Sequence, residues 1–143
     1  MHLLSKTAIL LPMALPIQKL REIVFHFLYS RDFGSSGEDV IPFLMEHHKV
    51  TKKSLYAAQD IVNQLVEKQQ EIDSLIEKHA TDYEFHRIPR VEKNLLRLGV
   101  FEMMHYKETP PKVAIAEAIR LARKFTTKEG AQFVNAVLDA ILI

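Results

Sequence analysis

Apolar residues recur three and four positions apart along most of the chain, and no stretch alternates as a strand would. Ile17, Leu20, Val24, Phe27 and Leu28 make one stripe, so a helix is predicted from Pro16 to Arg31, with Gly34 beyond its end. Phe25 and Tyr29, four apart, share a flank of it. D-F-G-S-S-G-E-D is a loop by composition, and a short helix is predicted over Ile41 to His48. Thr51 then caps a long amphipathic run through Leu55, Ala58, Val62, Leu65, Ile72 and Ile76 to about His79. Its polar stretch Glu67 to Glu71 is the place for a break into two helices. Three more helices follow with short connections. Pro89 opens the first, which carries Val91, Leu95, Leu96, Leu98, Val100 and Phe101. Pro110 and Pro111 end it and open the second, where Val113, Ala114, Ala118, Leu121, Ala122 and Phe125 are read as the buried face. Thr126 and Glu129 have capping-box spacing in front of the third, whose stripe is Val134, Val137, Leu138 and Ile141. The fold class is all-α, a helical bundle of six to seven helices. Gly99 falls mid-helix, where glycine costs roughly 0.5–1 kcal/mol relative to alanine. It is therefore expected to face another helix closely.

Composition narrows this picture. A chain of 143 residues, 48% hydrophobic and with four glycines, can bury one real core. The absence of cysteine excludes disulfides and thiolate metal sites, and a cytoplasmic setting is the simplest reading. No apolar run reaches the roughly 18 residues a membrane helix needs. The net charge of +1 hides a segregation. From Arg87 to Lys128 ten Lys/Arg stand against four Glu, a balance of +6. From Glu38 to Glu84 ten acidic residues stand against five Lys, a balance of −5. Nucleic-acid binders show such asymmetry, and so do two solvated helix faces of opposite sign.

Catalytic patterns are missing. There is no glycine-rich phosphate loop, H-E-x-x-H or nucleophile elbow. Adjacent His47 and His48 point about 100° apart on a helix and make a poor metal pair. Glu92, Glu102 and Glu117 lie among Lys and Arg, where ion pairing and helix-end placement explain them. The chain is thus expected to be neither an enzyme nor a carrier of a cofactor or metal. Asn135, on an otherwise apolar helix, is expected to satisfy a buried backbone group, and Asp139 to do similar work.

The opening M-H-L-L-S-K-T-A-I-L-L-P-M-A-L-P is apolar, but Pro12 and Pro16 interrupt it and only Lys6 supplies positive charge. A secretory signal is the lesser reading. Residues 1–15 are treated as an appendage to a domain spanning 16–143, with Met13 as a candidate natural start.

V-E-K-N-L-L-R-L-G-V-F-E, P-K-V-A-I-A-E-A-I-R-L-A-R-K-F and F-V-N-A-V-L-D closely resemble, in order and separation, the C-terminal signature of the NusB family. L-R-E-I-V-F-H-F-L-Y-S from Leu20 is similar to its first helix. The resemblance implies a transcription antitermination factor without catalysis. Such a protein would bind boxA-type single-stranded RNA together with the ribosomal protein NusE, in a complex with RNA polymerase and other Nus factors. It places RNA binding on the basic residues Lys19, Arg21, Arg120, Arg123, Lys124 and Lys128, with Glu129 and Phe133. It places partner binding on Tyr29 and Glu92. For Phe133, burial and base stacking both remain open. The sequence departs from the family in its first helix, where P-I-Q-K-L-R-E keeps only Lys19 and Arg21 of an arginine-rich run. Ala116 also stands where asparagine is common. The alternative is a helical protein–protein module or homodimer without direct RNA binding.

Overall fold

The computed structural model describes residues 15–106 and 108–142, so residues 1–14 of the opening appendage, Met13 among them, lie outside the described residues. Those residues contain seven α-helices and no strand. They divide into two compact units, residues up to Gln64 and residues from Leu65 on.

In the first unit, α1 (Ile17–Arg31) follows Pro16, whose ψ of 142° is not helical. It buries Leu20, Ile23, Val24, Phe25, Phe27 and Leu28. After Gly34 the loop folds on itself, with the Ser35 hydroxyl donating to Asp39 and accepting from the Gly37 amide at 2.9 Å. Gly37 has φ 100°, and a Cβ there would collide with the Gln59 amide. A 3₁₀ turn, Glu38–Val40, leads into α2 (Ile41–His48). That helix stops at Lys49, which takes the left-handed conformation with φ 57°. The predicted cap at Thr51 is present, its Oγ1 accepting from Ser54 N at 3.1 Å as α3 (Lys52–Glu67) begins.

The break foreseen in the polar stretch falls at Lys68, between α3 and α4 (Gln69–His79). In the second unit a 3₁₀ turn, Phe85–Arg87, and Pro89 set up α5 (Arg90–His105), followed by α6 (Pro111–Phe125) and α7 (Lys128–Leu142). From Asn94 to Glu102 every residue of α5 is buried, because α4, α6 and α7 all pack against it. Gly99 permits the close approach: a Cβ there would lie 2.9 Å from Leu138 Cδ1 and 3.5 Å from Ala118 Cβ.

The polar groups around Arg97 are paired. Arg97 grips Asp73 with both arms, Nε to Oδ1 at 2.8 Å and Nη2 to Oδ2 at 3.0 Å, which ties α5 to α4. Its Nη1 donates to Asn94 Oδ1 at 3.2 Å, and Asn94 Nδ2 donates to the Arg90 carbonyl at 2.9 Å.

Two sequence expectations are corrected here. On α6 Val113 is exposed and Ile115 is buried with Ala114, Ala118, Leu121 and Ala122. At 100° per residue, Val113 lies well off the centre of that face. The cap of α7 is Thr127, whose Oγ1 accepts from Gly130 N at 3.0 Å. Thr126 instead donates to Glu92 Oε2 at 2.9 Å.

Candidate nucleic-acid interface

A groove of about 440 Å³ opens between the end of α6 and the first half of α7. Ile119, Arg123, Thr126, Lys128, Ala131, Gln132 and Asn135 line it. Thr126, extended at φ −140°, ends α6 and turns the chain so that the two helices pack side by side. Arg123 lies in the last turn of α6, where a cation favours the helix dipole. Lys128 lies in the first turn of α7, where the dipole opposes a cation, so its place there is not explained by helix stability. Both are exposed, and the amides of Gln132 and Asn135 stand exposed beside them. Cations lining a groove can neutralise phosphates, while neutral amides offer both donor and acceptor to base edges.

Of the cations expected to meet RNA, only Arg123 and Lys128 meet in this groove. Arg120 donates from Nε to Glu117 Oε1 at 3.0 Å, which spends much of its charge one turn back on α6. Lys124 is exposed, its Nζ 5.5 Å from the centre of the Phe125 ring. Glu129 is exposed in the first turn of α7. Phe133 is half-buried and meets Tyr83 edge to face, with ring centres 5.0 Å apart. By helical geometry, Glu129 and Phe133 fall on the flank of α7 turned away from the groove.

Tyr83 is 45% exposed and was not singled out in the sequence. An aromatic in the turn-rich T-D-Y-E, where no helical stripe claims it, is the signal that would have found it. Asn135 is a correction: it is exposed and lines the groove, so it satisfies no buried backbone group. Asp139 is exposed as well.

In the first unit, Lys19 is half-buried and donates from Nζ to the His48 carbonyl at 3.1 Å. Arg21 is only 7% exposed, which removes it from the set of surface cations expected from the sequence. Tyr29 is half-buried near the end of α1, its ring 6.0 Å from Phe25 and 5.1 Å from Phe33. Phe33 is 59% exposed, so Tyr29 and Phe33 form an accessible aromatic pair that the sequence reading did not assemble. Glu92, in the second unit, is 7% exposed and accepts the Thr126 hydroxyl, so in the free chain it holds the α6–α7 corner.

These features define an all-helical protein with a basic and amide-lined groove. The NusB family model matches residues 18–142, and the chain belongs to the NusB family. It is 38% identical over 127 residues to the transcription antitermination protein NusB of Chlamydia pneumoniae, covering 88% of this chain and 79% of that protein. The fold is similar to a chain in the crystal structure of the antitermination factors NusB and NusE in complex with dsRNA. That match has a TM-score of 0.73 and 31% identity, covering 87% of this chain and 94% of the other. It is equally similar to T. maritima NusB, with a TM-score of 0.73 and 31% identity over 89% of this chain and 90% of the other. No helix among the described residues is long and apolar enough to cross a membrane.

Proposed function

We propose that this chain is a transcription antitermination factor that binds boxA-type RNA jointly with a NusE-type ribosomal protein. It acts in the cytoplasm as an adaptor for RNA polymerase and other Nus factors and catalyses no reaction. The observation that carries this reading is the α6–α7 groove, with Arg123 and Lys128 on its rim and Gln132 and Asn135 beside them. Lys124 adds charge next to it, and the Tyr83–Phe133 pair offers a ring on which a base can stack. The Tyr29–Phe33 aromatic pair is the surface for the protein partner, since aromatic side chains are enriched at interfaces. Glu92 serves that partner by fixing the corner at Thr126.

With Arg21 buried and Lys19 held by the His48 carbonyl, few cations remain to α1 for phosphate contacts. Free protein should therefore bind boxA-type RNA weakly, and the NusE complex much more tightly, because a docked partner adds its own RNA contacts and raises the effective concentration of the strand. A salt titration of RNA affinity tests this. Each single-strand phosphate contact contributes a slope of about −0.7. Arg123→Ala with Lys128→Ala should flatten the slope by about 1.4 and weaken binding in the free protein and the complex alike. Tyr29→Ala should weaken binding only when the partner is present. Tight binding by the free protein, unchanged on adding the partner, would overturn the cooperative reading.

A further inference from the structure

The strongest feature that the RNA reading leaves unused lies in the first unit, where α1 and the end of α2 bring Glu22, His47 and His48 together. One ligand atom from each, a carboxylate oxygen or an imidazole nitrogen, lies within 4.8 Å of the other two. Glu22 and His48 are buried and His47 is exposed. Side chains of adjacent helical residues diverge by about 100°. Here His48 ends α2, and the two rings nevertheless meet edge to face with centres 4.8 Å apart. Phe43, one turn earlier, stacks on His47 at 5.3 Å and helps to hold its ring. A fourth donor is close: His26 Nε2 lies 3.7 Å from Glu22 Oε2, and its ring centre is 5.6 Å from that of His48.

We propose that Glu22, His47 and His48 form a binding site for a divalent transition-metal ion of the zinc type, with His26 or water completing the coordination. The ligand chemistry fits, since zinc is held by imidazole nitrogens and carboxylate oxygens in a four-coordinate shell. His48 Nε2 is buried and has no hydrogen-bond partner. A buried polar atom left unsatisfied is unfavourable, and a metal bond would satisfy it. The Glu22 carboxylate supplies negative charge against the cation. Lys19, whose Nζ is bound to the His48 carbonyl, opposes it. Tetrahedral zinc with bonds of about 2.0–2.1 Å requires ligand atoms roughly 3.3 Å apart. The side chains must therefore close by about 1.5 Å at most, and exposed His47 is free of packing on its solvent side. Hard oxygen-loving ions such as Mg²⁺ are poorly matched to two or three imidazoles.

The test uses the full chain without an affinity tag, stripped with a chelator and titrated with zinc chloride in a calorimeter. The expected result is one ion per chain with a Kd in the micromolar range or tighter, and a Tm that rises with zinc. His47→Ala should weaken binding at least tenfold and abolish the rise of Tm with zinc, while the metal-free chain still folds, because His47 is exposed. Glu22→Gln should weaken it as well, and imidazole NMR signals should identify His47 and His48 as the shifted rings. No saturable binding would overturn the site. So would binding unaffected by His47→Ala, or zinc-induced shifts confined to His79, His86 or His105.

Discussion

Gly99 and Glu92 are both set by neighbours distant in sequence. A Cβ on Gly99 would press on Leu138, which is itself fully buried, so the larger side chain has nowhere to go. Gly99→Leu should destabilise the protein by about 1–3 kcal/mol, read as a lower urea midpoint at constant m-value. An unchanged midpoint would contradict the packing seen around α5. That close approach was legible in the sequence, because a mid-helix glycine asks for a reason. The role of Glu92 was not. Its partner, Thr126, lies 34 residues away, and only folding reveals that its carboxylate is enclosed beside Gly130. Glu92→Ala and Thr126→Ala should each destabilise by about 1–2 kcal/mol, with the double variant losing less than the sum. Strict additivity in that cycle would show that the 2.9 Å contact contributes nothing.

Periodicity located six of the seven helices of the described residues outright, and a polar run marked where the long one divides, at Lys68. What spacing could not supply was side-chain pairing between helices. Arg97 counted in the sequence as one of ten basic residues, yet it is buried and fully engaged with Asp73 on α4. The groove was half legible for the same reason. Arg123 and Lys128 stood out by charge, whereas Asn135 was assigned inward because its apolar neighbours suggested a buried face. Asp73→Ala would strand the Arg97 guanidinium, whose side chain is 8% exposed. A loss of about 2–3 kcal/mol is expected, below the 3–5 of a fully buried pair because Asp73 keeps some contact with water. Chemical denaturation of the variant, at low and high salt, measures it. A loss that vanishes in high salt would place the pair at the surface instead.

Across the whole molecule, proton binding is tied to stability. Burial holds the His105 imidazole below its usual range, with Lys68 adding to the shift and Glu71 opposing it. The unfolded chain therefore takes up this proton first as pH falls below about 6.5, and stability declines from there toward the lower folded pKa. Above that range this group adds no pH dependence. His105→Gln should make the loss below about pH 6.5 shallower, though not flat, since His48 is shifted in the same direction. An identical profile in denaturant titrations would exclude His105 as a source. The enclosure of α5 has a kinetic counterpart. A helix covered by three others exposes its amides only when the surrounding unit opens as a whole, so the amides of Leu95 to Phe101 should be among the slowest to exchange with deuterium. Those flanking the groove, in the first turn of α7, should exchange through small local fluctuations instead. The chain can then adjust its contact surface many times within the lifetime of a single folded core.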